Sequence, residues 1–159
     1  MKRIDRILNH FEYKKNLEKN IEMEKDRVYC CHNLQHFFDV ARVGYIIALE
    51  KKLQISKEMI YAAALLHDIG KWRQYAEGID HAFVSAEIAE GILKDCCFQQ
   101  EEREMILEAI KKHRKGKNLV TELDWILYEG DKQSRLCIQC KGIKDCKRFM
   151  GKEQPIVAY

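Results

Sequence analysis

At 159 residues the chain has the length of one domain, long enough to bury a continuous hydrophobic core without disulfides. Its 28 lysines and arginines against 25 acidic residues leave a formal charge of +3, dispersed along the chain, which excludes a dedicated nucleic-acid surface and remains compatible with a small anionic substrate. No apolar run approaches the ~20 residues that span a bilayer, the longest candidate being residues 60–66. The odd count of seven cysteines, with no apolar secretory stretch in MKRIDRILNHFEYKK, sets the expected compartment as the reducing cytoplasm. A single proline and eight glycines among abundant Ala, Leu, Ile, Glu and Lys favour helices throughout.

In chain order, Ile4, Ile7, Leu8 and Phe11 at helical spacing predict an amphipathic helix running to about residue 27, charged and solvated toward its end. His10 lies inside it and carries no functional reading. A second helix is expected over residues 33–51, with His36, Val40, Val43 and Ile47 on one face. Ser56 offers an N-cap to a third, whose apolar run 60–66 makes it central and buried. Gly70 ends that run, and the polar stretch 73–80, with Gly78 permitting a turn, reads as a loop over the mouth of whatever His67 and Asp68 line. His81, Val84, Ser85, Ile88 and Ile92 then share a helical face. Residues 101–113 place Ile106, Ile110 and His113 in register, and residues 121–135 do the same for Leu127, Asp131 and Arg135. From Leu136 the chain changes character, with Cys137, Cys140 and Cys146 among lysines and glycines. The expected architecture is all-α: a bundle of about six helices over residues 1–136, the N-terminal helix included, and a cysteine-containing tail over 137–159.

The chemistry concentrates in Leu65-Leu66-His67-Asp68-Ile69-Gly70-Lys71, where an imidazole and a carboxylate stand back to back at the end of a buried helix. Adjacent helical residues diverge by about 100°, so the pair reaches one point only if a cation sits between them. An isolated His-Asp dipeptide at a helix end is ordinarily satisfied by hydrogen bonds. Here, however, His36, His81, His113 and Asp131 each interrupt an apolar face of their own helix, where a soluble protein avoids such groups. Four imidazoles and two carboxylates suit borderline cations such as Fe, Mn, Co, Ni or Zn, and two ions if one carboxylate bridges.

His36 followed by Phe-Phe-Asp-Val-Ala, then Leu-Leu-His67-Asp68-Ile-Gly-Lys71, then Asp131 in Leu-Tyr-Glu-Gly-Asp-Lys, together resemble the HD superfamily of metal-dependent phosphohydrolases over roughly residues 29–135. His81 and His113 match the two further histidines of the subset holding two metals. The resemblance implies a helical domain, divalent ions, and hydrolysis of a phosphoester or phosphoanhydride by a metal-activated water. Carried onto this chain, His36, His67, Asp68 and Asp131 would hold one ion, and Asp68 would bridge to a second held by His81 and His113. The Gly-Tyr-Pro extension of cyclic-dinucleotide phosphodiesterases is absent, and Gly130-Asp131-Lys132 departs from the Ala-Asp-Tyr of diadenosine-tetraphosphate hydrolases. The chain is most similar to bacterial HD proteins of unassigned reaction that share an Arg-x-x-Cys-x-His opening and a cysteine-bearing tail.

Lys71, one turn past His67, and Arg135, one turn past Asp131, are candidates to bind substrate phosphate and assist catalysis beside Asp68, their plainer reading being surface or salt-bridging cations. His32, one turn before His36, could contact substrate or a metal-bound water, though a partly exposed histidine at a cap is the simpler reading. Cys137-x2-Cys140-x5-Cys146 offers three soft ligands, one short of an additional metal site, with Cys30, Cys31, Cys96, Cys97 or a water as a fourth. The competing reading is three reduced cysteines packed in a short tail, with Cys30-Cys31 and Cys96-Cys97 as small buried residues. The expected partner is a small phosphorylated substrate such as a nucleotide, with no nucleic acid and no membrane; a homodimer is compatible. The alternative function is a non-catalytic sensor binding metal or nucleotide in the same pocket.

Overall fold

The structure, a computed structural model, describes residues 1–149 and 154–159; positions 150–153 of the expected tail lie outside the described residues. Among the described residues the fold is all-helical: α1 Lys2–Asn9, α2 Phe11–Met23, α3 Leu34–Glu50, α4 Lys57–Leu66, α5 Lys71–Glu77, α6 His81–Asp95, α7 Gln100–Lys112 and α8 Glu122–Gln133, followed by two 3-10 turns, Cys137–Gln139 and Ile143–Asp145.

Two elements differ from the sequence reading. The first helix breaks at His10, whose backbone is extended (φ −67°, ψ 135°) and whose imidazole accepts from the N–H of Glu12, so His10 caps α2. The stretch 73–80 is not a loop: most of it is α5, bounded by Gly70 and by Gly78 in the left-handed conformation (φ 73°) that ends a helix. Short polar side chains cap α3, α4, α6 and α8 at their starts. Asn33 accepts from His36 N at 3.0 Å, Ser56 from Met59 N at 3.2 Å and Asp80 from Ala82 N at 3.1 Å, while Thr121 and Asp124 form a capping box on α8.

α4 is the hub. Met59, Ile60, residues 62–66 and Ile69 are buried against α1, α3, α7 and α8, with Phe37, Ile106, Ile110, Leu123 and Ile126 filling the same core. α3 and α8 approach through glycines: a Cβ on Gly130 would lie 3.1 Å from the Val40 carbonyl, and one on Gly44 would lie 3.1 Å from Ile126 Cγ2. That approach sets His36 of α3 opposite Asp131 of α8. After α4 the chain makes a tight turn over residues 67–70. Asn20 of α2, fully buried, donates to the Asp68 carbonyl at 2.9 Å and accepts from Trp72 N at 2.8 Å, and Gly70 N donates to Ser85 Oγ of α6 at 2.9 Å. The turn bearing His67 and Asp68 is thus gripped from both sides.

Candidate metal centre

Five helices deliver the six candidate ligands to one place. His67 and Asp68 come from the turn after α4, His36 from α3, His81 from the first residue of α6, His113 from the C-cap of α7 and Asp131 from the last turn of α8. Five of the six are buried, and His36 is nearly so. The two oxygens of Asp68 face different groups. Oδ2 is 3.3 Å from His67 Nε2, which lies 3.7 Å from Asp131 Oδ1, itself 3.4 Å from His36 Nε2. Oδ1 is 2.9 Å from His81 Nε2 and 3.4 Å from His113 Nε2. The ligand atoms of His36, His67, Asp68 and Asp131 all lie within 4.8 Å of one another, and so do those of Asp68, His81 and His113.

The tautomers follow from the backbone. His67 Nδ1 donates to the Ala64 carbonyl at 2.7 Å and His113 Nδ1 to the Ile110 carbonyl at 2.6 Å, while His81 Nδ1 donates to Gln74 Oε1. Each therefore turns the lone pair of Nε2 inward, the outer-sphere arrangement that fixes metal-ligating imidazoles. His81 Nε2 and His113 Nε2 face each other at 3.4 Å, lone pair toward lone pair. His36 Nε2, His67 Nε2 and Asp68 Oδ1 are buried without a hydrogen-bond partner. Unsatisfied acceptors in a core are costly, and a cation among them satisfies all of them together. The residues fit divalent ions.

The electrostatics agree. Burial would raise Asp68, but the imidazoles of His67, His32 and His113 hold its carboxyl well below the usual range. Asp131, likewise opposed by burial, is held low by the neighbouring His36 and His67 imidazoles and by the Arg135 charge. His67, fully buried, is nonetheless pushed up to about 9 by the two carboxylates, whereas burial prevails at His36 and His81 and lowers both.

A cavity of about 500 Å³ opens on this centre, lined by Asp68, His81, His113 and Asp131 and rimmed by Arg27, Lys71, Arg114 and Arg135. Lys71 does not continue the helix of His67, because Gly70 breaks the chain and Lys71 opens α5. Its Nζ lies 3.2 Å from His81 Nδ1, and burial lowers its pKa. Arg135 reaches the same cavity but is tied to Asp131, with Nη2 donating to Oδ1 at 2.6 Å and Nε to the carbonyl at 2.9 Å, while Lys132 donates to Oδ2 at 2.7 Å.

His32 corrects the simpler reading: it is buried and not partly exposed. Its Nδ1 donates to Glu24, which also accepts from Tyr75 Oη at 2.6 Å, and its Nε2 points at Asp68 Oδ2, 3.3 Å away. Sequence reasoning missed Glu24 and Tyr75. Both sit in stretches that read as charged helix end or loop, and the one signal was a carboxylate eight residues before His32. Of the cysteine pairs expected to be buried, Cys96 is, but Cys97 is exposed and Cys30 and Cys31 are half-buried.

The HD domain family model matches residues 33–141. An uncharacterized protein of Clostridium beijerinckii is 46% identical over 146 residues, 92% of each chain. Among solved structures, that of a predicted HD superfamily hydrolase from an uncultured Thermotogales bacterium superposes with a TM-score of 0.58 at 30% identity, covering 76% of this chain and 66% of that one.

Proposed function

This chain belongs to the HD domain family, and from that premise we propose that it is a metal-dependent phosphohydrolase cleaving a phosphoester or phosphoanhydride, with a nucleotide as the favoured substrate. One observation carries the reading: three buried polar atoms, His36 Nε2, His67 Nε2 and Asp68 Oδ1, have no partner and face the ligand atoms of His81, His113 and Asp131. Two ions would suit that layout, with His36, His67, Asp68 and Asp131 available to hold the first and Asp68, His81 and His113 the second. The donor set suits Fe, Mn, Co, Ni or Zn. Bound there, divalent ions supply Lewis acidity toward phosphoryl oxygens and lower the pKa of water.

The chain's own residues supply the rest. Asp68 presents one oxygen to each histidine group and keeps the two sites in register. Lys71, on the rim and without a carboxylate ion-pair partner among the described residues, binds non-bridging phosphate oxygens. Arg135 both braces Asp131 and presents its guanidinium to substrate. His32, its Nδ1–H anchored on Glu24, keeps Nε2 directed into the cavity to touch substrate or the attacking water. The cavity volume falls within the roughly 300–1,000 Å³ of small-molecule sites. Residues 1–136 act as the helical domain and 137–159 as its tail. Seven free cysteines suit a reducing, cytoplasmic setting, and among the described residues no helix is long and apolar enough to cross a membrane.

The test is a panel of nucleotides and phosphoesters offered to protein loaded with each metal. Turnover should require metal and vanish in Asp68→Ala with helix content retained. Tight nucleotide binding with no turnover under any metal would assign the pocket to a sensor, and an Asp68→Ala variant with unchanged turnover and metal content rules out the centre.

A further inference from the structure

Four of the seven cysteines stand around one opening. Cys30, Cys137, Cys140 and Cys146 all line the cavity of the histidine–carboxylate centre, although more than a hundred residues separate the first from the rest. All four are free and half-buried. Of the other three, Cys96 is in the core and Cys97 accepts from Arg6 at 3.2 Å, while Cys31 lines a neighbouring cleft with Cys30, Cys137 and Cys140 but turns its thiol to the Tyr29 carbonyl.

The chain brings the four together by specific contacts. The Cys30 carbonyl accepts from Arg27 Nε at 2.9 Å, and Gly142 packs so closely on Tyr29 that a Cβ there would stand 2.9 Å from the ring. In the tail the turns open on the cysteines themselves. The carbonyl of Cys137 accepts from Cys140 N at 3.1 Å, that of Cys140 from Ile143 N at 3.3 Å, and that of Cys146 from Phe149 N at 2.9 Å. Nothing in the proposed hydrolysis uses these thiols.

We propose that Cys30, Cys137, Cys140 and Cys146 form a second, thiolate metal site, taking a zinc ion or an iron–sulfur cluster, that clasps the tail across the mouth of the cavity. Thiolates select such soft centres, whereas the imidazole and carboxylate groups below them do not need sulfur. Four thiolates around a divalent ion carry net negative charge; burial raises the Cys137 thiol, and the charges of Arg148 and Arg135 oppose that rise in part. Among the described residues the groups with ligand atoms within 4.8 Å of one another are the two histidine–carboxylate sets. No three of these sulfurs therefore stand mutually within 4.8 Å, so a lone zinc ion, whose ~2.3 Å bonds set its sulfurs about 3.8 Å apart, would draw the tail inward, and a cluster asks for less closure. The site itself stands apart from the phosphohydrolase reading; that the clasp limits access to the cavity rests on it.

The experiment uses the full chain purified without oxygen. Metal and sulfide analysis should find either an equivalent of zinc, or iron with acid-labile sulfide and the broad visible absorption of a cluster. Metal-free protein titrated with Co²⁺ should develop the intense near-ultraviolet sulfur-to-cobalt band that histidine and carboxylate ligands cannot give. Cys30→Ser and Cys146→Ser should each lose the cluster absorption or the cobalt band, with the metal of the histidine–carboxylate centre retained, and Cys97→Ser should keep both, with circular dichroism checking that the helices persist. The proposal is overturned if the protein holds no iron with labile sulfide and develops no sulfur–cobalt band, if all four thiols stay reactive to a thiol reagent in the metal-loaded protein, or if Cys30→Ser leaves the cluster absorption or the cobalt band intact. Because these readouts are independent of turnover, an inactive protein that shows them sinks the hydrolase reading alone.

Discussion

Asp68 shows how little room the centre leaves for substitution: each carboxylate oxygen faces its own pair of imidazoles, so no shorter or neutral side chain serves both. Lys71 sits differently. It borders the centre through His81 but is repelled by any cation bound there, so removing it should separate substrate binding from metal loading. Lys71→Ala is expected to keep its metal content and lose kcat/KM by about 10- to 100-fold, the scale of one charge-assisted phosphate contact of ~1.5–3 kcal/mol. The loss would appear in KM if Lys71 grips ground and transition states alike, and in kcat if it meets developing charge. Wild-type kcat/KM on the best substrate would make Lys71 a bystander. The positions of His36, His67, His81, His113 and Asp131 were legible because a polar residue on an apolar helical face is a visible anomaly. Glu24 and Tyr75 were not, since a glutamate in a charged segment and a tyrosine in a polar one look unremarkable until folding buries Glu24 against His32.

Among the elements, the turn 67–70 with α5 is the piece that sequence patterning read least well. Seven residues between Gly70 and Gly78 are too few to display a helical period, and the break at His10 has neither glycine nor proline to announce it. The longer helices were readable from their apolar spacing, and Ser56, the cap read in the sequence, does start α4, while Asn33, Asp80 and Thr121 cap α3, α6 and α8 in the same way. Packing explains why Gly70 must be glycine: an added Cβ would stand 2.6 Å from Val84 Cγ1 and 2.8 Å from Ser85 N, on backbone that cannot swing away. Gly70→Ala should therefore cost about 1–3 kcal/mol by overpacking and displace Asp68 from His81, weakening metal affinity as well. Gly91, in mid-α6 with nothing within 4 Å of its would-be Cβ, is the control. Gly91→Ala should stabilise by roughly 0.5–1 kcal/mol through helix propensity. Thermal melts of the two variants with and without metal check the pair, and equal effects would mean that the contact at Val84 relaxes freely.

At the scale of the whole molecule, five helices converge on one group of imidazole lone pairs and two buried carboxylates, so the fold itself should depend on the cations that reconcile them. A ligand bound only by the native state at a hundredfold excess over its Kd contributes about 2.7 kcal/mol, which is ~5–10 °C in Tm for a chain of this size. The dependence on pH has a definite sign. In the metal-free protein His67 is pushed up to about 9 by Asp68 and Asp131 against its burial. A raised imidazole contributes stability that is whole below its unfolded value of 6.5 and is lost as pH climbs through about 9. Below that window the His67 proton does part of the metal's work and competes with it. Above it the proton is gone and the carboxylates are left uncompensated. Chelator-treated protein should therefore lose Tm between pH 6.5 and 9 while metal-loaded protein holds, so that the gap between the two melting curves widens as pH rises. A gap that stays constant or narrows across that range would show that bound metal does not replace the His67 proton, and would move the first ion away from His67.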